Sequence, residues 1–546
     1  MKTGLVLIGA CLALACAGAS PEKRGASPAP QTRLRALREA GAPSRVVLIT
    51  IAGLESSDYL GPAGFALGPA GYALGSAGFA VGSADAASAS ADASVRMPVL
   101  GRLAAEGVTG LRAWPPAPGS TYASHATLVT GLRPDRHGIV ADEALDPAGQ
   151  RALPYHDSRL LKATTLWDAA LGRGVLAFGW PTTVGARVEL LVPDVEPDPS
   201  AGTWLGQLRT RSTPQLVSDL EAIAREQLEA TPKDAVGTKR TLSSWPTVGE
   251  RDAAFVELGC RVAASERNPS LWLIRLVEPA AVVAAHGQGS HEHALALARA
   301  DARIGRLVDC LGAAERLVDT AIVVVGDVAH RPVHTEIAPN TALVRENLIG
   351  RDPRSKTGVR SWLALTRSHG RSAYLFAKDA ESAVAARRVL DAEAARSGAF
   401  EVVPAAELAA GGADPQAWFG LAARPGYGFG NALMGPLLRP SEVRSAAGGL
   451  PSREAGDGAV GFVAWGRGVR EQIRVPELAL VDVAPTIARL LGLRLDEKLD
   501  GRPQIGLLRA SQPLPPPGPK RLGVGTDGDV ERTLREMGGG RELGSD

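Results

Sequence analysis

Residues 114–140 read W-P-P-A-P-G-S-T-Y-A-S-H-A-T-L-V-T-G-L-R-P-D-R-H-G-I-V, a loop broken by Pro and Gly that continues as an apolar helical segment. This stretch delivers Thr121, Ser124 and His125 together, and its helical pattern ends at Gly131. The first turn of a helix offers free N–H donors and a partial positive charge. A hydroxyl presented there suits a nucleophile that faces an anionic group. The stretch therefore predicts a nucleophile at the start of a helix.

Short apolar runs alternate with helical patterns from residue 46 onward. Continuous runs such as 46–51, 271–277 and 320–326 are typical of strands buried on both faces of a parallel sheet. The alternation predicts an α/β fold with a doubly wound, mostly parallel central sheet over residues 46–505. A mixed segment at about residues 360–430 predicts a small inserted α+β lobe. Ligands of such folds bind at the carboxyl ends of the strands.

The first sixteen residues have the pattern of a lipoprotein signal peptide: one Lys, an apolar run too short to span a membrane, and then A-C-A-G-A-S. We expect lipid attachment at Cys16, with Cys11 as the alternative site and an ordinary signal cut near Ala19 as a further alternative. The protein is then exported to the periplasm or the outer surface and held at a membrane. Residues 17–45 are predicted to form a flexible tether.

A seven-residue repeat, beginning L-G-P-A-G-F-A, occupies much of residues 60–95. Gly in every copy and Pro in the first two argue against a helix or an interior strand. An expanded surface loop is one interpretation, and a small adhesive or membrane-contacting loop is the other. The chain beyond residue 505 is rich in Pro, Gly and charge, so residues 506–546 are predicted to be a disordered tail.

The charge and cysteine content exclude two classes of protein. Sixty basic and 58 acidic residues leave a formal charge of +2, so no nucleic-acid partner is indicated. Only Cys260 and Cys310 remain after signal cleavage, which excludes a disulfide scaffold. An oxidising compartment permits a bridge between these two residues, but the sequence leaves open whether one forms.

The opening stretch resembles the nucleophile segment of the nucleotide pyrophosphatase/phosphodiesterase family of the alkaline phosphatase superfamily, T-x-P-N-H-x-S-x-x-T-G-x-x-P-x-x-H-G-I. The segments W-P-T-T-V-G-A at 180–186 and P-G-Y-G-F-G at 425–430 are also similar to that family. The resemblance extends over about residues 45–505, apart from the repeat. It implies an alkaline phosphatase-like fold, with Thr121 at the nucleophile position and His125 as a framework residue.

The resemblance also implies two zinc ions held by six Asp and His side chains. The matching positions here keep one Asp and otherwise carry Ala or Val: Ala52, Ala280, Ala284, Asp327, Val328 and Ala447. The Asn that helps to hold the phosphoryl oxygen in the family is matched to Ser124. Dications need anionic oxygen and imidazole donors, so we expect no zinc here.

A lone Asp327 cannot hold a dication against water, and without metal the Thr121 hydroxyl is a poor nucleophile. Unpaired carboxylates in an emptied cleft would repel one another at a cost on the order of several kcal/mol, which their loss relieves. We therefore predict a pseudoenzyme that binds an anionic small molecule in the old cleft or a protein partner. A structural role for Asp327, capping the following turn, needs no metal.

An active hydrolase of phosphoric esters, of nucleotide or phosphodiester type, is the alternative prediction. It would use Thr121 and a rewired metal site drawn from the histidines His286, His291, His293, His330 and His334. His330 and His334 are four residues apart and would share a metal if they lay on a helix. Sulfatase chemistry is excluded, because Thr121 and Ala123 do not supply a C/S-x-P-x-R motif.

Overall fold

A computed structural model describes residues 41–60, 96–145, 152–196, 198–352, 354, 358–450, 458–495, 498–511, 513–514 and 526–539. The predicted signal peptide with Cys11 and Cys16, most of the tether and the repeat beyond residue 60 lie outside the described residues.

The described strands, in chain order, are β1 (Arg45–Ile51), β2 (Val108–Trp114), β3 (Glu143–Leu145), β4 (Ala152–Pro154), β5 (Val175–Trp180), β6 (Leu190–Pro193), β7 (Leu271–Leu276), β8 (Thr320–Gly326), β9 (His330–Ile337), β10 (Ile349–Arg351), β11 (Val359–Trp362), β12 (Ala364–His369), β13 (Ser372–Ala377), β14 (Phe400–Pro404), β15 (Phe419–Ala423), β16 (Gly426–Phe429), β17 (Leu438–Pro440), β18 (Ser445–Ala447), β19 (Val460–Gly466), β20 (Ile473–Val475) and β21 (Leu478–Ala479).

The described α-helices are α1 (Ser56–Leu60), α2 (Pro98–Glu106), α3 (Thr121–Thr130), α4 (Pro134–His137), α5 (Leu166–Ala169), α6 (Trp204–Leu208), α7 (Pro214–Ala230), α8 (Val248–Ala264), α9 (Glu278–His286), α10 (His291–Ala313), α11 (Pro339–Arg345), α12 (Ala380–Ser397), α13 (Ala405–Gly411), α14 (Val483–Leu491) and α15 (Asp527–Gly539).

The central sheet has nine strands among the described residues, in the order β20-β2-β19-β8-β1-β7-β5-β6, with β21 also paired to β2. Strand β1 is parallel to both of its neighbours, β7 and β8. Only β19 among these strands runs antiparallel to its neighbours, β2 and β8. The predicted doubly wound, mostly parallel α/β fold is confirmed.

Helices cover both faces of this sheet because successive side chains of a strand point to opposite sides. Along β1, residues 47, 49 and 51 pack into one core cluster, together with apolar side chains of α7, α8 and α10. Residues 46 and 48 pack into a second cluster with side chains of α3 and α14. A strand buried on both faces reads as a continuous apolar run, which is how β1 appears in the sequence.

The inserted lobe is an antiparallel four-stranded sheet of order β12-β13-β15-β14, packed against α12. It spans residues 364–423, within the segment predicted at about 360–430. A second small sheet centres on β9, which pairs with β16, β17 and β18. This second sheet leads the chain back past the carboxyl ends of the central strands.

The tail differs from the predicted disordered segment 506–546, because α15 forms within it. Val530, Leu534 and Met537 pack against the second core cluster. Their spacing of four and then three residues places them on one face of the helix. Glu536 also forms an ion pair of 3.0 Å with Arg159. This apolar stripe is short and flanked by charged residues, so the composition of the tail did not predict a helix here.

A disulfide links Cys260 in α8 to Cys310 in α10, with Cα atoms 5.2 Å apart. The sequence had left this pairing open. No helix in the described ranges combines the length and the apolar character that crossing a membrane requires.

Candidate active site

The candidate site lies where β1, β7 and β8 end side by side at Ile51, Leu276 and Gly326. The residues that follow these strands are joined by short hydrogen bonds. The Ala52 N–H donates to the Leu276 carbonyl at 2.9 Å. The next N–H, that of Gly53, donates to Asp327 Oδ1 at 3.1 Å. The first and fourth of the six zinc-ligand positions therefore meet at one edge of the sheet.

The remaining zinc-ligand positions surround the same edge. A Cβ placed on Gly53 would lie 3.7 Å from Ala280 Cα in α9. The Ala284 carbonyl accepts a 2.7 Å hydrogen bond from the Arg444 N–H, just before β18. Within β18, Ala447 pairs with His330 of β9.

Five of these six positions carry no ligating side chain: Ala52, Ala280, Ala284, Val328 and Ala447. The residues present do not fit two zinc ions, because a dication requires several oxygen, nitrogen or sulfur donors. Val328 and Ala52 are also buried, at 1% and 2% exposure. Apolar atoms therefore occupy the positions that the sequence resemblance matched to zinc ligands.

Asp327 is fully buried and holds the turn after β8. Its Oδ1 accepts hydrogen bonds from the N–H of Gly53 at 3.1 Å and of Val328 at 2.7 Å. Its Oδ2 accepts a bond of 3.3 Å from the Thr121 hydroxyl. Burial raises the pKa of Asp327, and Arg275 opposes that shift. The carboxylate thus has the capping contacts proposed for it and, in addition, a contact with the nucleophile position.

His125 supports the first turn of α3 rather than facing the cleft. Its Nδ1–H donates to the Thr121 carbonyl at 2.7 Å, since a carbonyl oxygen only accepts. Its Nε2 then accepts from the Thr50 hydroxyl of β1 at 2.8 Å. Burial lowers the pKa of His125 to about 3, so the ring is neutral. These contacts agree with the framework role expected from the sequence.

A cleft of about 960 Å³ opens beside Thr121. Among the described residues its charged lining comprises six carboxylates and two guanidiniums: Asp142, Glu143, Asp157, Asp194, Glu196, Asp198, Arg211 and Arg275. Tyr122, His156, three further polar residues and several apolar ones complete it; the three are Thr121, Gln207 and Thr210. The charge of this lining is predominantly negative, which is unfavourable to a phosphate ester.

Asp142 occupies the start of α3 next to Thr121. Its Oδ1 accepts a hydrogen bond of 2.8 Å from the N–H of Tyr122, the second residue of the helix. Burial raises the pKa of Asp142 to about 6, while the Tyr122 N–H and Arg275 oppose the shift. The position that attracts an anion at a helix N-terminus is therefore filled by a side chain of the protein itself.

A buried polar network lies behind the cleft. Arg275 Nη1 donates to Asp194 Oδ2 at 2.7 Å, and the Tyr122 hydroxyl donates to the same oxygen at 3.0 Å. The Tyr122 hydroxyl is also 2.9 Å from His156 Nδ1. Although burial opposes ionisation, Arg275 and Arg251 hold the pKa of Asp194 below its ordinary value. This buried ion pair fixes the Tyr122 side chain against the cleft wall.

Ser124, which the sequence matched to the Asn that holds a phosphoryl oxygen, is not among the described residues that line the cleft. Helix α3 buries every residue from Tyr122 to Thr130, and Ser124 has no exposed surface. Its hydroxyl has no hydrogen-bond partner within the part of the chain that the structure describes. The sequence analysis missed Asp142, Asp194 and Arg275. The sequence signal that could have identified Asp142 is its position just after the H-G-I-V segment.

The five histidines of the alternative metal site do not come together as predicted. His286 and His291 are exposed. His330 and His334 lie on strand β9 rather than on a helix, so four residues separate them by about 13 Å along the strand. Across the described ranges, no group of three or more His, Cys, Asp or Glu side chains could hold a metal ion.

Two of these histidines are nevertheless buried near each other, and His330 lies close to positions matched to the zinc ligands. His330 Cδ2 would be 3.3 Å from a Cβ placed on Gly53. Burial lowers the pKa of His330 to about 4, and the neighbouring His293 and Arg331 lower it further. The Nδ1 atoms of His330 and His293 have no hydrogen-bond partner among the described residues. Both rings are therefore neutral in a partly apolar surrounding.

Comparison with known proteins agrees with this geometry. The type I phosphodiesterase/nucleotide pyrophosphatase family profile matches residues 83–411. A Caenorhabditis elegans ectonucleotide pyrophosphatase/phosphodiesterase is 32% identical over 105 residues, which cover 18% of this chain and 14% of that relative. The match thus spans about a seventh of the relative's length.

Solved structures show the same fold at low sequence identity. Human ectonucleotide pyrophosphatase/phosphodiesterase 5 superposes with a TM-score of 0.55 at 14% identity, over 85% of this chain and 100% of that chain. The murine protein gives a TM-score of 0.54 at 15% identity, over the same shares of both chains. The chain has an alkaline phosphatase-like fold and belongs to the type I phosphodiesterase/nucleotide pyrophosphatase family.

Proposed function

We propose that this protein is an exported, catalytically inactive member of its family that acts by binding. The observation that carries the proposal is the set of side chains around Asp327. Five of the six positions at which the family holds zinc present only methyl or isopropyl groups: Ala52, Ala280, Ala284, Val328 and Ala447. Such groups supply no ligand to a Lewis acid, so the site lacks the means to activate a nucleophile through metal.

Without metal, Asp327 is the carboxylate among the described residues that is hydrogen-bonded to the Thr121 hydroxyl and could accept its proton. Asp327 Oδ2 lies 3.3 Å from the Thr121 hydroxyl, while Oδ1 is held by two backbone N–H groups. Even with a raised pKa, a carboxylate is a far weaker base than a threonine alkoxide. The pair therefore forms a stable hydrogen bond rather than generating a nucleophile.

The disulfide supports export. A bridge between Cys260 and Cys310 is stable in an oxidising compartment and rare in the cytosol. Together with the predicted signal peptide, it favours a periplasmic or outer-surface protein attached to a membrane through a lipid on Cys16. With a formal charge of +2 over 546 residues, nucleic acid is not proposed as a partner.

The cleft of about 960 Å³ next to Thr121 has the size of a small-molecule site. Its wall combines a buried ion pair, Arg275–Asp194, with the ring of Tyr122. We propose this cleft as the place where the protein binds a small ligand; the sequence predicted an anionic small molecule here, or a protein partner instead.

Hydrolysis of phosphoric esters is the second candidate function, and two observations favour it. The Thr121–Asp327 hydrogen bond retains the nucleophile position in contact with a carboxylate. His330 lies near Gly53, His293 is close enough to lower the pKa of His330, and both Nδ1 atoms are unpartnered among the described residues. Two imidazoles and one carboxylate would be a weak site, so binding without hydrolysis remains the function that the geometry supports best.

Zinc content and ester hydrolysis test the proposal together. The soluble mature form, with Cys16 replaced, is loaded with zinc, desalted and subjected to elemental analysis, and bis(p-nitrophenyl) phosphate serves as substrate. We expect near-zero zinc per chain and the uncatalysed rate. Two zinc ions per chain, with hydrolysis that Thr121→Ala abolishes, would show instead that the protein is a working hydrolase.

A further inference from the structure

The start of helix α3 is the point at which an anionic group would meet this protein. The helix has ten residues, and its first, Thr121, faces the cleft. Its second, Tyr122, directs its N–H toward Asp142 Oδ1 at a distance of 2.8 Å. A carboxylate of the chain thus takes the hydrogen bond that a phosphoryl oxygen would take.

Asp142 is held in this place by its own backbone. The Tyr155 N–H donates to the Asp142 carbonyl at 3.3 Å. The following residue, Glu143, begins strand β3 and pairs with Pro154 of β4. Because the β3–β4 pair holds the Asp142 backbone, the Asp142 side chain loses little further conformational entropy when it accepts the Tyr122 hydrogen bond. An external anion, by contrast, would lose translational freedom in competing for the same N–H.

The charges around Asp142 add to this competition. Burial is the main cause of the raised pKa of Asp142; Asp327 and Glu143 raise this pKa further, and Arg275 lowers it. Arg275 is itself paired with Asp194 at 2.7 Å. A phosphoryl group beside Thr121 would therefore approach two carboxylates, those of Asp142 and Asp327, with one partly neutralised guanidinium to offset them.

We propose that Asp142 is the residue that sets ligand specificity in this cleft, by excluding phosphoryl and other anionic groups from the position next to Thr121. The inference rests on the proposed binding function and names its ligand class: a group that is neutral or cationic where the family takes a phosphate. This ligand class differs from the anionic small molecule that the sequence predicted.

The site retains donors that would serve an anion once the charge of Asp142 is removed. The Tyr122 N–H is one of them in Asp142→Ala, which removes its acceptor. Arg275 lines the same cleft, with 6% of its surface exposed, and contributes positive charge there. Asn at position 142 could keep its oxygen on the Tyr122 N–H and turn its amide nitrogen toward the cleft. Neutralising Asp142 should therefore create phosphate binding.

Calorimetric titration with inorganic phosphate, at neutral pH and constant ionic strength, tests this on the full mature chain. The proteins are wild type, Asp142→Asn, Asp142→Ala and Glu143→Gln. Glu143 is the matched control, because it lines the same cleft and carries the same charge but does not bond to α3. We expect no measurable phosphate binding by wild type or by Glu143→Gln. Both Asp142 variants should bind phosphate with an affinity at least about tenfold above the detection limit.

Phosphate binding by the wild type, or an equal gain from Glu143→Gln, would overturn the inference, since either would show that Asp142 does not exclude the anion. Absence of binding in both folded Asp142 variants would overturn it as well. Circular dichroism establishes folding, and Asn, being isosteric with Asp, guards against loss of structure. Zinc analysis of the same samples separates the two proposals: bound zinc contradicts the proposed function, whereas anion binding by zinc-free wild type contradicts only this inference.

Discussion

The Thr121 hydroxyl donates a hydrogen bond of 3.3 Å to Asp327 Oδ2, joining two residues that are 206 positions apart in the chain. The sequence matches Thr121 to the family's nucleophile position and Asp327 to one of its ligand positions. With Ala or Val at the other matched positions, we propose that the carboxylate acts as a structural acceptor. It ties the start of α3 to the turn after β8 and to Gly53 after β1.

We predict that Asp327→Ala lowers the free energy of unfolding by about 2 kcal/mol. The substitution leaves the N–H groups of Gly53 and Val328 without their acceptor. It also removes the cost of burying a carboxylate, but this gain offsets only part of the lost hydrogen bonding. Urea denaturation followed by circular dichroism measures it. Thr121→Val, which removes only the hydroxyl bond, should cost less than about 1 kcal/mol. Equal stability of Asp327→Ala and wild type would refute a structural role.

A second prediction concerns pH and Asp142. Its pKa is about 6 in the folded protein, above its value of about 4 in the unfolded chain. Between these values the folded state binds more protons, so the contribution of Asp142 to stability falls as pH rises from about 4 to 6. At neutral pH, Asp142→Asn should therefore be more stable than wild type by about 2 kcal/mol, and the difference should vanish near pH 4.

Paired urea titrations of wild type and Asp142→Asn across this pH range isolate the effect of Asp142. Other buried carboxyls with raised pKa values, such as Asp58 and Asp252, contribute equally to both proteins. A difference in stability that does not change with pH would contradict the assignment.

Loss of the disulfide should destabilise the fold substantially. Cys260 and Cys310 are 50 residues apart, and the chain-entropy model assigns a bridge across such a loop about 4 kcal/mol. Cys260→Ser with Cys310→Ser, or treatment of wild type with reductant, should lower the denaturation midpoint to the same extent. A midpoint insensitive to reductant would mean that the bridge does not form in the isolated protein.

The lipid anchor is tested by metabolic labelling with radioactive palmitate and by membrane fractionation. Cys16→Ser should abolish labelling and release the protein from membranes, because serine lacks the thiol to which the lipid is attached. Cys11→Ser is the matched control and should remain labelled. Labelling lost with Cys11→Ser and kept with Cys16→Ser would move the anchor to the other cysteine.

Local sequence pattern was sufficient for the architecture. Continuous apolar runs such as 46–51 predicted strands buried on both faces, and β1 has both faces buried. The step from a Gly- and Pro-rich loop to an apolar segment predicted a helix with Thr121 at its start, where α3 begins. These predictions succeed because strand and helix periodicities are properties of neighbouring residues.

Local pattern failed where the outcome depended on distant partners. The tail was predicted to be disordered, yet Val530, Leu534 and Met537 find an apolar surface on the core. Ser124 was matched to a phosphate-binding position, yet packing of α3 against the sheet buries it. His330 and His334 were considered as an i, i+4 pair, but pairing with β16, β17 and β18 makes their segment a strand.

By itself, the sequence determined the α/β architecture and the helix start at Thr121, since each follows from residue identity and short-range spacing; the loss of zinc ligands around Asp327 stays a prediction from the family resemblance. Only the tertiary structure decided what fills the emptied site. Asp142 reaches the Tyr122 N–H across 20 residues, and Arg275 reaches Asp194 across 81. Such contacts depend on how packed elements orient their side chains in three dimensions, which one-dimensional spacing does not encode.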